Sequence, residues 1–360
     1  MSKILLLGGT GAMGVYLAPE LIKMGYNVFI TSRSAMKSDN NKLTYIQGNA
    51  HEDTFLKRTL SDNFDVIVDF MTYSTDEFLH RYNLLLKNTK HYVFLSSTRV
   101  FANSNQPVTE KSPRILEVSD DAEYLATDDY NLAKARQENI LRESQYKNWT
   151  IVRPGLIYSK MRLPLGTLEA DTIIFRAHCK CPVILPEVMF QKHNSMTWGG
   201  DVAKMFGGLV LNPKSFCEDF NVVSHKRSTW EEISQYYKKL IGLTVIPVKI
   251  DTYINITGCN YQILKARMND RVFDNSKILK ATGMKEESIS SIYSGLEKEL
   301  QNINDILKTI RINYVLNAKI DRFTNSRIFF EKASIKEKII YYSSYTGMYE
   351  YLKHIKRFIR

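Results

Sequence analysis

The 360-residue chain predicts an α/β fold: a doubly wound parallel sheet, a smaller C-terminal lobe, and a basic C-terminal tail. Three observations predict it. Residues 1–160 alternate apolar strand patterns with helical ones, as parallel strands joined by crossover helices require. The first strand runs straight into a glycine-rich turn that opens a helix. Much further on, Tyr130 and Lys134 stand four residues apart on one helical face.

The elements follow in order. Ile4-Leu5-Leu6-Leu7, in a strand near 3–8, leads into Gly8-Gly9-Thr10-Gly11-Ala12-Met13-Gly14. Gly8 lets the chain turn at the strand end, Gly11 lets backbone N–H groups approach a pyrophosphate, and Gly14 lets the new helix pack on the strand. The helix N-terminus then offers N–H groups and a positive dipole end to phosphate. Gly8, Thr10, Gly11, Ala12, Met13 and Gly14 are therefore expected to cradle a dinucleotide in a Rossmann-type sheet. Val15, Leu17, Leu21, Ile22 and Met24 repeat at helical spacing, Gly25 ends that helix, and Asn27–Thr31 is the second strand. Strand two ends in Thr31-Ser32-Arg33-Ser34, with no acid to hold a ribose 2′-hydroxyl. Ser32 and Arg33 suit a 2′-phosphate, which points to NADP(H) over NAD(H).

Further strands are expected near 43–47, 65–70, 91–97 and 149–154, and helices over 76–88 and 130–146. From about 160 the pattern loosens. Residues 161–186 and 190–197 are expected in a substrate-binding lobe, 220–223 as a return strand, 229–241 as a helix and 245–250 as a short strand. The predicted division is 1–160 for the dinucleotide domain, 161–300 for the lobe interleaved with the sheet, and 301–360 for a basic, helical extension.

The chemistry-bearing residues lie at the ends of these elements. A tyrosine titrates near about 10, and a neighbouring ammonium favours its phenolate. Lys134 is spaced to do this for Tyr130. The strand His91-Tyr92-Val93-Phe94-Leu95 ends in Ser96-Ser97-Thr98, which supplies hydroxyls to hold a substrate oxygen.

With these motifs in place the chain resembles the extended short-chain dehydrogenase/reductases, the NAD(P)-dependent nucleotide-sugar epimerase/dehydratase family. The resemblance runs over about residues 3–285. It rests on Gly8-x-x-Gly11-x-x-Gly14, Phe64–Asp69, Leu95–Phe101, Pro107–Glu110, Tyr130-x-x-x-Lys134 on to Glu138, Arg153–Tyr158, Thr197–Ala203, and Asp274–Lys277 through Gly283-Met284. It implies that Ser97 is the catalytic hydroxyl, that Tyr130 exchanges a proton with a sugar oxygen, and that Lys134 tunes Tyr130 and binds the nicotinamide ribose. By position it also places Asn49, Ala50, Phe70, Met71 and Pro154 at the cofactor, and Thr98, Arg99 and Arg176 at the substrate. A homodimer through helices 76–88 and 130–146 is implied as well.

Departures from the family narrow the reaction. Thr98 and Arg99 stand where its 4,6-dehydratases and its sugar-acid decarboxylases carry acids, which disfavours water elimination. Asp69-Phe70-Met71-Thr72-Tyr73 replaces an apolar H-x-A-A, and Asn49 replaces an aspartate that contacts adenine. The resemblance thus implies a sugar-nucleotide epimerase or 4-keto-sugar reductase in surface polysaccharide or glycoconjugate biosynthesis. The alternative is a non-catalytic or RNA-associated protein of the same fold.

Composition sets outer bounds. No apolar run reaches the roughly 18–20 residues of a transmembrane helix. Met1-Ser2-Lys3 opens directly into a strand, unlike a signal peptide. Four cysteines without a paired or CxxC pattern fit a reducing cytoplasm. His178-Cys179-Lys180-Cys181 is read as structural, and no metal is expected. Residues 304–360 hold 12 Lys+Arg against 5 Asp+Glu, seven of the chain's net +11. The stretch 349–360 mixes aromatics and cations at near-helical spacing. It is read first as a packed helix, second as a peripheral membrane or partner contact, and last as a nucleic-acid contact.

Overall fold

The computed structural model describes residues 1–160, 162–330 and 333–349. They divide into two compact units. The first comprises 1–159, 195–227 and 271–290. Its elements are β1 (Lys3–Leu7), α1 (Gly14–Lys23), β2 (Asn27–Ser32), β3 (Leu43–Gln47), α2 (Asp53–Leu60), β4 (Phe64–Asp69), α3 (Thr75–Lys87), β5 (Thr89–Leu95), α4 (Tyr130–Glu143), β6 (Trp149–Pro154) and β7 (Glu218–Val222). The seven strands are all parallel, in the order β7-β6-β5-β4-β1-β2-β3. This is a Rossmann-like sheet with flanking helices, as the alternating pattern predicted.

The strands are apolar throughout because both sheet faces are covered. Successive side chains point to opposite faces. Ile4 and Leu6 enter one apolar layer with Leu17 and Leu21 of α1; Leu5 and Leu7 enter the other with Phe55, Phe78 and Leu141 of α2, α3 and α4. Strand order reverses on either side of β1. In open α/β sheets that switch point opens a crevice beyond the carboxyl ends of the strands.

The second unit comprises 160, 162–194, 228–270, 291–330 and 333–349 of the described residues. It contains a parallel strand pair, Val183–Pro186 with Val245–Val248, and a series of helices. One of them, Trp230–Ile241, starts at a capping box between Thr229 and Glu232. The sequence expectation placed 161–300 in a lobe interleaved with the sheet. Residues 195–227 and 271–290 return to the sheet unit. Within the helical extension expected over 301–360, the helices Tyr314–Thr324 and Ile335–Thr346 belong to the second unit's own core. Tyr314, Ala318, Ile328 and Tyr341 cluster there with Phe175, Cys179 and Cys181. Both cysteines of the His178–Cys181 stretch are thus apolar core residues, and burial pushes the Cys179 thiol up to about 11. Residues 350–360 of the basic amphipathic stretch lie outside the described residues.

A buried hub ties the C-terminal helices down. Asp321 accepts from Arg176 Nη2 at 2.8 Å, Ser326 Oγ at 2.6 Å, the Ile328 amide at 2.9 Å and the Tyr341 hydroxyl at 2.6 Å. Tyr341→Phe removes one charge-assisted bond and leaves the packing intact. Its expected cost is about 1.5–3 kcal/mol in denaturant unfolding. A change below a few tenths would show that the hub does not hold this helix.

Candidate functional site

The glycine turn forms as its spacing predicts. Gly8 adopts φ +69°, a left-handed backbone that only glycine takes without strain, and its amide donates to Thr31 Oγ1 at 2.9 Å. A Cβ on Gly14 would lie 1.8 Å from the Gly9 carbonyl oxygen, so α1 can begin against the turn only with glycine there. A Cβ on Gly11 would meet no protein atom within 4 Å. The Gly11 backbone therefore faces open space. Met13 turns its side chain into the sheet's apolar layer, which leaves its backbone and that of Ala12 in the turn.

Beside this turn is a cleft of about 310 Å³, built from the ends of β1 to β4. Gly8, Thr10, Ser32, Arg33, Asn49, Ala50, Phe70 and Met71 line it, together with Thr31, Gly48, His51 and Thr72. Ser32 Oγ closes a small turn by donating to the Ser34 carbonyl at 2.9 Å and accepting from its amide at 3.2 Å, which leaves Arg33 exposed on the rim. Asn49 Oδ1 accepts from the His51 amide at 3.2 Å. Buried Arg81 of α3 donates to the carbonyls of Ala50, at 2.9 Å, and His51. His51, Thr72 and the anchoring Arg81 were missed from sequence; His51 and Thr72 follow strand ends, whereas Arg81 lies inside α3 and carries no such local signal. A glycine turn, a helix N-terminus and a basic rim together fit a dinucleotide.

Asp69 ends β4 fully buried. It accepts from the Met71 amide at 3.0 Å, the Tyr92 hydroxyl at 2.7 Å and the Tyr73 hydroxyl at 3.3 Å. Burial raises its pKa despite these donors. The carboxylate fixes the loop at 70–73, of which Phe70, Met71 and Thr72 line the cleft.

The residues expected to transfer protons lie on α4 and the turn after β5. Asp129 caps α4 by accepting from the Asn131 amide at 3.2 Å, and Tyr130 is the first helical residue. Lys134, 2 % exposed, donates from Nζ to the Met71 carbonyl at 3.4 Å and sits 4.6 Å from the centre of the Phe94 ring. Burial lowers its pKa to about 8, although the charges of Asp69 and Glu138 act to raise it. Lys134 thus joins the tyrosine helix to the cleft wall. Ser97 caps the short turn Thr98–Val100, its Oγ accepting from the Arg99 amide at 3.2 Å. Arg99 places its guanidinium carbon 4.9 Å over the Tyr130 ring. Thr98 Oγ1 donates to the Pro154 carbonyl at 3.2 Å, which links this turn to the end of β6.

Glu138, one helical turn beyond Lys134, holds the assembly in register. It is fully buried and bidentate to Arg153, with Nε and Nη2 each at 2.7 Å; it also accepts from Ser96 Oγ at 2.6 Å and Arg114 Nη1 at 3.1 Å. Burial alone would raise its pKa, but Arg153 outweighs burial and holds the carboxyl below the usual range. Ser96 is therefore a structural hydroxyl. Arg176 is a correction: it lies in the second unit, fully buried, its guanidinium bonded to Pro182, Asn317, Asp321 and Ser326. Those bonds make it a core ion pair instead of a substrate contact.

Residues 8–173 match a family described as NAD(P)H-binding. The fold is similar to that of solved epimerases and dehydratases. Among solved structures, UDP-glucose 4-epimerase from Thermotoga maritima, with UDP-glucose, aligns with TM-score 0.63 and 16% identity over 85% of this chain and 99% of that one. The dTDP-glucose 4,6-dehydratase of Bacillus anthracis, in complex with NAD, aligns with TM-score 0.66 and 15% identity over 86% and 98%. A curated relative, the chloroplast stem-loop binding protein of 41 kDa b from Arabidopsis thaliana, is 26% identical over 257 residues. That match takes in 67% of this chain and 63% of the relative, so it spans less than two thirds of the relative's length.

Proposed function

We propose that this protein is an NAD(P)-dependent enzyme acting on a nucleotide sugar, as an epimerase or 4-keto-sugar reductase, with NADP(H) preferred. The observation that carries this reading is the bond from Lys134 Nζ to the carbonyl of Met71. It sets a tyrosine–lysine pair, with Ser97 on the neighbouring turn, against a residue that lines the dinucleotide cleft. The glycine turn and α1 hold the pyrophosphate, and Ser32 and Arg33 hold the adenosine end. When bound, the nicotinamide supplies reversible hydride exchange. Ser97 hydrogen-bonds the reacting sugar oxygen. Tyr130 takes or returns that oxygen's proton, and the Lys134 ammonium favours the phenolate form this requires.

Titration with NADP+ and NAD+ tests the cofactor assignment. Arg33→Ala should weaken NADP+ binding by roughly 1.5–3 kcal/mol and leave NAD+ nearly unchanged, because only the 2′-phosphate loses its partner. Equal small effects on both cofactors would overturn the preference.

A second reading is an RNA-associated protein of the same fold. It is favoured by the stem-loop binding named for the Arabidopsis relative and by the net charge of +11. Stem-loop RNA binding that weakens steeply with salt, together with no turnover on any nucleotide sugar, would select it.

A further inference from the structure

We propose that Asp69 is a positioning residue for proton transfer: through the Met71 peptide it holds Lys134 in place and keeps it an ammonium. The catalytic part of this rests on the enzyme reading above. Asp69 ends β4 with no exposed surface. Its Oδ1 accepts from the Met71 amide at 3.0 Å, and the Met71 carbonyl accepts from Lys134 Nζ at 3.4 Å. Its register partner on β5 is Phe94, whose ring centre lies 4.6 Å from Lys134 Nζ. Met71 and Phe94 are thus two separate links that bring the Lys134 ammonium to the end of β4. Gln137, one turn further along α4, ties down the same loop by donating to the Tyr73 carbonyl at 2.8 Å.

The hydrogen bonds favour the charged form of Asp69. It receives the Met71 amide and the hydroxyls of Tyr73 and Tyr92, and both of its oxygens are used. A protonated carboxyl would point a hydrogen at one of these hydroxyls, whose own hydrogen would then need a new buried acceptor. A buried carboxylate in turn needs a cation. Its donors are neutral, and Lys134 supplies the charge. Burial raises the Asp69 pKa and lowers that of Lys134 to about 8, and each charge acts against the other's shift. The other ionisable groups around Lys134 are committed. Glu138 pairs with Arg153 and Arg114. Burial first, and then the Asp69 charge, keep Tyr73 and Tyr92 neutral. Arg81 of α3 stacks on the Tyr73 ring, and Arg99 stacks on that of Tyr130. Without the Asp69 charge, Lys134 loses a favourable neighbour and gives up its proton at lower pH, and Tyr130 loses phenolate support with it.

The test is an NMR pH titration of the full chain carrying isotope-labelled lysine, in which the Lys134 signal is the one lost in Lys134→Met. Asp69→Asn keeps the shape of the side chain: its Oδ1 still accepts from the Met71 amide and its Nδ2 donates to the Tyr92 hydroxyl. In this variant the Lys134 midpoint should fall by about one pH unit, and the alkaline limb of the kcat profile should fall with it. Gln137→Leu cuts the loop's other tie without changing charge and should leave the midpoint in place. A cooperative thermal melt establishes folding of each variant. If Asp69→Asn does not fold, the reciprocal coupling serves: Lys134→Met should raise the Asp69 midpoint, read from labelled aspartate, by the same amount. A Lys134 midpoint unmoved by Asp69→Asn, or moved equally by Gln137→Leu, would overturn the inference, as would an Asp69 midpoint unmoved by Lys134→Met. A shifted Lys134 midpoint in a protein that turns over no nucleotide sugar would overturn the enzyme reading while the Asp69–Lys134 coupling stands.

Discussion

Tyr130→Phe should abolish turnover of the nucleotide sugar while cofactor affinity stays at the wild-type value. The substitution keeps the ring beneath Arg99 and removes only the hydroxyl. General acid–base groups typically contribute about 10²–10⁴-fold to rate, so kcat should fall by that factor. Cofactor binding should survive because the glycine turn, Ser32 and Arg33 form the cleft without Tyr130. Steady-state rates and a cofactor titration on the same preparation check both halves. Near-normal kcat would refute the assignment of Tyr130.

Glu138→Ala should be the most destabilising single change in the site. It strips the carboxylate from Arg153, a 1 % exposed side chain, and from largely buried Arg114. Breaking a buried ion pair by removing one partner costs about 3–5 kcal/mol. The pH dependence has a definite sign. The folded-state pKa of Glu138 is depressed, so its stabilisation is complete above the ordinary value of 4.5 and fades as pH falls through the folded value. Thermal melts should show a wide gap between wild type and variant at pH 7 that narrows in acid. A constant gap would mean that Glu138 acts through packing alone. The same variant should lose kcat, since the network that sets α4 against β6 also sets Tyr130.

The parts legible in the sequence are those whose partners are close along the chain. β1, the glycine turn and α1 are contiguous, so the close approach of Gly14 to Gly9 shows in the spacing. Tyr130 and Lys134 share a face because a helix returns to the same side every four residues. The alternation of Leu5 and Leu7 against Ile4 and Leu6 follows from the two-residue period of a strand, which is why the sheet could be anticipated.

What the tertiary structure alone decided lies at long range. Arg176 looked available for substrate until helix Tyr314–Thr324 placed Asp321, 145 residues away, against its guanidinium. Which core the helical extension packs into is likewise set at long range: Tyr341 is buried in the second unit's core beside Phe175 and Cys179. Arg81 pinning His51, and Arg99 covering Tyr130, likewise join separate segments. Local propensity carries no information about such meetings. They are selected by which arrangement leaves no buried charge without a partner, and that condition applies only once the chain is folded.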